Sequence, residues 1–269
     1  MQLRARLVEN RLLGSPSSST HNGASFVLRL AGCEGLAGAR PGQFVMLRGA
    51  WGRDPLLPRA FSILRTLPDG GCEILVKAVG RGTRLLATLE AGAELAVLGP
   101  LGRPFPAPER GRTDLLVAGG VGLAPLLWHA EVAHAAGLTT ELFYGARSAR
   151  DLVLLDEIAR AGCRLHLTTE DGSAGLTGRV TAALDARLRD GDLGENPHVL
   201  TCGPNPMMKA VAELAHAQSL PCLASVEGEM ACGIGVCLGC AVPLKNDTRP
   251  FGYACVDGPV FDAARIVIP

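Results

Sequence analysis

No stretch of this 269-residue sequence reaches ~18 uninterrupted apolar residues, the length a membrane-spanning helix needs. Its first residues, Met1-Gln2-Leu3-Arg4-Ala5-Arg6, run into polar side chains without an apolar signal core. Neither a membrane span nor a secretory leader is expected. Excess charge of one sign is also missing: 26 basic and 26 acidic side chains cancel, and no Lys or Arg run offers a track for a phosphate backbone. A nucleic-acid partner is therefore not expected. Internal repeats and low-complexity segments do not stand out. A disulfide framework is not suggested either, because the nine cysteines are odd in number. Five of them, Cys33, Cys72, Cys163, Cys202 and Cys222, are scattered among apolar neighbours. That usage suits reduced thiols and places the chain in the cytoplasm.

What is present is an ordinary globular composition, 48% hydrophobic, in a chain long enough for two domains and a small module. The most specific stretch is Glu229-Met230-Ala231-Cys232-Gly233-Ile234-Gly235-Val236-Cys237-Leu238-Gly239-Cys240, completed by Cys255. Cysteines at C-x4-C-x2-C…C follow the plant-type ferredoxin spacing for a [2Fe–2S] cluster. A tight loop aims three thiolates at two irons, and a distant fourth closes the cage. Gly233, Gly235 and Gly239 suit such a loop, because residues without a Cβ take positive φ and let backbone N–H groups approach sulfur. A structural zinc site is the alternative, but zinc favours cysteines in two separate pairs. Met230, Ile234, Val236 and Leu238 make the loop more apolar than water exposure requires, which marks Ile234 and Leu238 as candidates to border a docking face.

Upstream, residues 3–101 read as short strands divided by Gly and Pro, the pattern of a small antiparallel barrel. The runs are 25–30, 43–47, 60–64, 73–79 and 94–98, with one short helix over 83–89. Arg59-Ala60-Phe61-Ser62 sets a guanidinium and a hydroxyl close together, suited to a diphosphate and a flavin edge. Gly82-Thr83 opens the helix, where free N–H groups favour phosphate. A surface Arg and a plain helix cap are the bland readings of the two. The Pro-rich run from Pro100 to Pro108 reads as a linker through which no strand continues.

From Thr113 the pattern changes to short apolar runs alternating with helices: strands at 113–118, 141–144, 164–169, 198–201 and 223–226, helices at 123–136, 152–161, 179–188 and 206–218. That order implies a parallel sheet. Gly119-Gly120-Val121-Gly122 lies between the first strand and helix, where a glycine turn lets backbone N–H groups reach a pyrophosphate. A tight helix–sheet turn is the alternative. Cys202-Gly203-Pro204 forms a second turn at the same edge, where ligands of open α/β sheets bind, and puts Cys202 beside a nicotinamide or in the core. The expected fold is multi-domain: an antiparallel β-barrel FAD domain over 1–108, an α/β parallel-sheet NAD domain over 109–222 and a [2Fe–2S] module over 223–269.

Together, Arg59-Ala60-Phe61-Ser62, Gly119-Gly120-Val121-Gly122-Leu123-Ala124-Pro125-Leu126 and Cys202-Gly203-Pro204 resemble the ferredoxin–NADP reductase superfamily. The cysteine loop with Cys255-Val256-Asp257-Gly258-Pro259-Val260-Phe261 is similar to the electron-transfer subunits of class 1B dihydroorotate dehydrogenases. The resemblance covers nearly the whole chain. It implies FAD, one [2Fe–2S] cluster and NADH, with electrons passing to an FMN-containing catalytic subunit in a hetero-oligomer with two copies of each chain. It places the flavin segments on Arg59, Ala60, Phe61 and Ser62, on Val76, Lys77 and Ala78, and on Gly82 and Thr83. It places the cluster on Cys232, Cys237, Cys240 and Cys255. Two departures stand out. Ala60 replaces the family's usual Pro, and Val76-Lys77 replaces Tyr-Arg, losing an aromatic face and a forked donor that lysine does not replicate.

A flavin between a hydride donor and a one-electron cluster joins two-electron to one-electron chemistry, so no acid or base residue is assigned. The pyrimidine chemistry itself needs another chain, since a (β/α)8 barrel takes ~250 residues. Two alternatives remain: a reductase subunit serving a hydrogenase or a sulfur-metabolism enzyme, and a non-catalytic NAD-responsive zinc-site regulator. Nucleotide choice rests on Arg147, Ser148 and Arg150 after the second strand, which suit a 2′-phosphate, against the family's NADH. Replacing any one of Cys232, Cys237, Cys240 or Cys255 by Ser is predicted to abolish cluster iron and sulfide, while Cys33→Ser and Cys163→Ser leave both intact; iron and sulfide analysis decides.

Overall fold

The computed structural model describes residues 1–14 and 23–268. The barrel comprises β1 (Gln2–Leu13), β2 (Ser25–Ala31), β3 (Phe44–Gly49), β4 (Arg59–Ser62), β5 (Arg65–Thr66), β6 (Cys72–Lys77), α1 (Arg81–Ala87) and β7 (Glu94–Leu101). Its strands form one antiparallel sheet in the order β4-β3-β7-β1-β2-β6-β5. The longest and central strand, β1, is the one the sequence reading passed over. Its alternation is interrupted by a register shift between Leu7 and Glu9, which breaks the period-two signal. Pro100 does not end β7, contrary to expectation. The strand runs on to Leu101, and the proline sits opposite the register shift between Phe44 and Met46, where a missing N–H is tolerated.

The rest of the described chain comprises β8 (Asp114–Gly119), α2 (Leu123–Ala135), β9 (Glu141–Ala146), α3 (Leu155–Arg160), β10 (Arg164–Thr169), β11 (Leu176–Thr177), α4 (Val180–Arg189), β12 (His198–Cys202), α5 (Asn205–Ala217), β13 (Cys222–Ser225), β14 (Ala241–Pro243), β15 (Phe251–Tyr253) and β16 (Val260–Asp262), all of whose strands but the β14–β15 pair form a second sheet. Its order is β11-β10-β9-β8-β12-β13-β16, parallel except for β16. Every residue of β8 is buried, as a strand covered on both faces requires. Leu116 and Ala118 pack with α2 and α3, whereas Leu115 and Val117 pack with α4 and α5. The third helix is shorter than expected because Leu154 takes a left-handed backbone (φ 59°), so α3 starts only at Leu155.

The C-terminal segment 223–269 is anchored on the nucleotide sheet: β13 completes the parallel run, and β16 returns to pair with it antiparallel, Ala224 opposite Phe261. The cysteine segment is an excursion between these two edge strands, carrying the β14–β15 hairpin. Cys240, Val242, Ala254 and Phe261 share one core with Val211 of α5 and with Phe44 and Met46 of the barrel.

Barrel and nucleotide domain meet through α2, which is buried from Leu123 to Ala130: Trp128 joins the barrel core and Leu126 the sheet. Beside it lies an ionic contact. Arg65 holds Glu131 of α2 at 2.6 Å and Glu73 of β6 at 2.5 Å, all three largely enclosed. Burial raises the Glu131 pKa above the ordinary carboxylate range, the Arg65 guanidinium opposes that shift, and Glu73 adds to it. A raised carboxylate pKa in the folded state means stability is highest at low pH and falls as pH rises from the ordinary carboxylate value through the folded one. Arg65→Met removes the opposing charge and widens that window. The predicted loss is about 3 kcal/mol at pH 8 and much less near pH 5, read from urea unfolding at both values.

Candidate functional site

Two glycine turns face each other at the carboxyl edge of the parallel sheet. A Cβ on Gly122 would stand 2.2 Å from the Cys202 carbonyl oxygen, and one on Gly203 3.0 Å from the Gly119 backbone. Only side-chain-free residues permit this approach. Together the turns close one end of a cleft of about 640 Å³ between barrel and sheet. Gly119, Gly120, Val121 and Pro204 form its wall. Gly122, Cys202 and Gly203 lie behind that wall. Cys202 is 2% exposed, and burial first, with Glu227 adding to it, pushes its thiol up to about 12. At the opposite wall Lys77 stands 3.4 Å from Asp151, linking barrel to nucleotide domain.

The flavin-segment residues divide. Arg59, Ala60, Phe61 and Ser62 make up β4, each half-buried. The Arg59 guanidinium lies on Gly82, where a Cβ would come within 2.6 Å of its Nε, and Nη1 donates to the Leu57 carbonyl. Thr83 is a cap: its hydroxyl accepts from the Val79 and Gly80 N–H groups at 3.0 and 2.9 Å and donates to the Gly80 carbonyl. Val76 and Ala78 point into the barrel core, 1% and 0% exposed, so neither side chain is available to a ligand.

The four cysteines come together in two pairs. The Cys240 and Cys255 sulfurs lie 3.2 Å apart, and the Cys237 N–H donates to the Cys232 sulfur. Among the described residues, no three His, Cys, Asp or Glu side chains close on one ion position. Paired thiols are the layout that a two-iron cluster needs, two sulfurs to each iron. Backbone donors surround them: Ile234 and Cys237 N–H reach the Cys232 sulfur at 3.5 and 3.4 Å, and Gly235 N–H reaches Cys255 at 3.2 Å. The N–H groups of Cys237 and then Ile234 lower the Cys232 thiol to about 6, while burial and then Cys240 raise Cys255 to about 12. Gly233 and Gly235 have φ of 76° and 81°, as the loop needs. Gly239 does not; the left-handed residue there is Leu238, at φ 59°. A Cβ on Gly233 would meet Met46 Cγ at 2.5 Å, so the loop rests directly on the barrel.

Several cleft residues escaped the sequence reading. Glu170 follows β10, Arg179 precedes α4, and Glu227 follows β13; all three line the cleft. Glu227 is exposed as a residue, yet the protein crowded around its carboxyl raises its pKa. Applying the strand-end rule to every strand of the sheet, instead of to two, finds Glu170 and Glu227. Of the residues offered for a 2′-phosphate, only Arg147 lines the cleft; Ser148 is hydrogen-bonded to Asp151 at 3.1 Å.

Comparison with known proteins agrees with this layout. Residues 12–105 match an oxidoreductase FAD-binding domain, 116–213 an oxidoreductase NAD-binding domain, and 227–267 the iron–sulfur cluster binding domain of dihydroorotate dehydrogenase B. The chain is 36% identical to the electron transfer subunit of dihydroorotate dehydrogenase B (NAD(+)) from Bacillus caldolyticus, across 85% of this chain and 87% of that one. The corresponding subunit of Clostridium acetobutylicum is 34% identical over the same shares. Among solved structures, an NADH-dependent reduced ferredoxin–NADP oxidoreductase superposes with a TM-score of 0.84 at 30% identity, covering 98% of this chain and 89% of that one. The ferredoxin–NADP+ reductase of Plasmodium falciparum, at 14% identity, 80% and 91% coverage and TM-score 0.65, shares the fold. A chain with an FAD domain, an NAD domain and a cluster domain in this order is an NADH-oxidising flavin and iron–sulfur oxidoreductase, and it belongs to the family of dihydroorotate dehydrogenase B electron transfer subunits.

Proposed function

We propose that the chain passes electrons from NADH to the FMN of a dihydroorotate dehydrogenase catalytic subunit, in the oxidation of dihydroorotate to orotate for pyrimidine synthesis. A bound flavin supplies the exchange between two-electron and one-electron transfer. The chain's own residues supply position. Gly119, Gly120, Val121 and Pro204, backed by Gly122, Cys202 and Gly203, hold the nicotinamide nucleotide. Arg59 and Ser62, with Ala60, Phe61, Gly82, the Thr83 cap and the backbone of Val76, Lys77 and Ala78, hold FAD. Cys232 and Cys237 serve one iron, and Cys240 and Cys255 the other.

The observation that carries the partner is the surface of the cluster loop. Its inner side rests on Met46 of the barrel, while Ile234, Val236 and Leu238 are 53%, 75% and 51% exposed, with Phe251 and Val256 adding to the apolar surface. One-electron transfer requires close approach to the cluster, and an apolar rim supports stable docking there. Leu238→Glu is predicted to abolish co-purification with an FMN-bearing catalytic subunit and dihydroorotate-driven NAD+ reduction, with cluster content and NADH-to-dye activity unchanged. Survival of the complex overturns the proposal. A second reading, a reductase subunit serving another oxidoreductase, draws on the likeness to the ferredoxin–NADP oxidoreductase over 98% of the chain. It wins if the natural complex lacks dihydroorotate activity.

NADH is the proposed donor because Glu170 lines the cleft near Arg147 and repels a 2′-phosphate while it accepts from a ribose hydroxyl. Glu170→Arg is predicted to raise kcat/KM for NADPH about tenfold and lower it for NADH, in steady-state dye reduction.

A further inference from the structure

Two thiols outside the cluster face each other inside the barrel. Cys33 follows β2 and Cys72 opens β6, and their sulfurs lie 3.5 Å apart although 39 residues separate them in sequence. Both are enclosed, 1% and 0% exposed. The Cys72 thiol donates to the Cys33 sulfur, and that bond holds Cys33 below the ordinary thiol range against burial and the Glu34 carboxylate. Cys72 is raised by the same contact and by its own burial. The pair is thus asymmetric, with the thiolate favoured at Cys33. Glu34 and Ala37, on either side of the adjoining turn, are exposed, and a surface groove lies between that turn and the Thr66–Gly70 turn. The Cys33 N–H is hydrogen-bonded to the Gly70 carbonyl at 3.0 Å, so the two turns already hold each other.

We infer that Cys33 and Cys72 form a reversible dithiol–disulfide pair, a modification site that cross-links the ends of β2 and β6. A bond requires the sulfurs to close to ~2.05 Å, a movement that a turn residue such as Cys33 accommodates better than a strand residue. The oxidant is a small-molecule disulfide such as glutathione disulfide. On local opening of the Glu34–Leu36 turn, Cys33 Sγ attacks one glutathione sulfur, the glutathione S–S bond breaks, and one glutathione leaves. Cys72 Sγ then attacks Cys33 Sγ and expels the second. Two cysteine thiols become one disulfide, and their protons end on two glutathione thiols.

Topology sets the consequence. In the β2–β6 ladder, Ser25 pairs with Lys77 at the cleft end and Leu30 with Cys72 at the far end. The cross-link therefore ties the barrel at the end remote from the nucleotide cleft, raising stability without touching bound groups.

The test uses the holoprotein under anaerobic conditions, incubated with glutathione disulfide, alkylated and peptide-mapped by mass spectrometry. The expected result is a Cys33–Cys72 linked peptide pair, reversed by dithiothreitol. The melting temperature should rise by roughly 5–10 °C, while cluster absorbance and NADH-to-dye activity stay unchanged. Cys72→Ala, and separately Cys33→Ala, should show no rise. Full alkylation of both thiols after oxidant, a mixed glutathione adduct persisting on wild-type Cys33, or an equal rise in either variant overturns the inference. The wild-type peptide map needs neither variant to fold.

Discussion

Antiparallel pairing of β16 with β13 governs the position of everything between them. Only three residue pairs make up that ladder, yet they turn a loop of more than thirty residues into an excursion with both ends fixed on the nucleotide sheet. The isolated bridge between Arg103 and Pro259 adds a tie to the segment leaving the barrel. With its ends held, the cysteine loop folds back on Met46 and Leu101, so the sulfurs are set by both large domains at once. An independent module on a linker would leave the electron path to chance. Here the cluster's place follows from sheet pairing and packing.

The cleft obeys a related constraint. Ligands of an open parallel sheet bind beyond its carboxyl ends, where helix N-termini and turn N–H groups converge. The barrel covers that edge and contributes Ser25, Lys77 and Val79 to the cleft. Contact between the domains combines the buried run of α2 with the Arg65 ion network. Removing one charge from such a network costs more than the network contributes as a whole, because the remaining carboxylates stay in a poorly solvated place.

Sulfur electrostatics in the loop are set by the backbone. N–H groups of Ile234, Gly235 and Cys237 point at sulfur, and these donors stabilise thiolate character without any cationic side chain. The surrounding apolar side chains are then free to face outward. A loop that needed lysines or arginines to hold thiolates would present a charged rim. This one presents Ile234, Val236 and Leu238.

Local chemistry is what the sequence determined by itself. Cysteine spacing marked the cluster loop, glycine turns after strands marked the nucleotide edge, and the change from short alternating runs to strand–helix alternation marked the two sheets. These signals lie within a dozen residues, so no folding is needed to see them. Tertiary structure alone decided the rest. It assigned β16 to the nucleotide sheet, because a three-residue strand has too little periodicity to be read. It placed Val76 and Ala78 inside the barrel, since a strand's register decides which face each residue takes. It brought Cys33 against Cys72, because the 39 residues of chain between them leave no trace in local pattern. Long-range pairing decides such contacts, and only the folded chain has it.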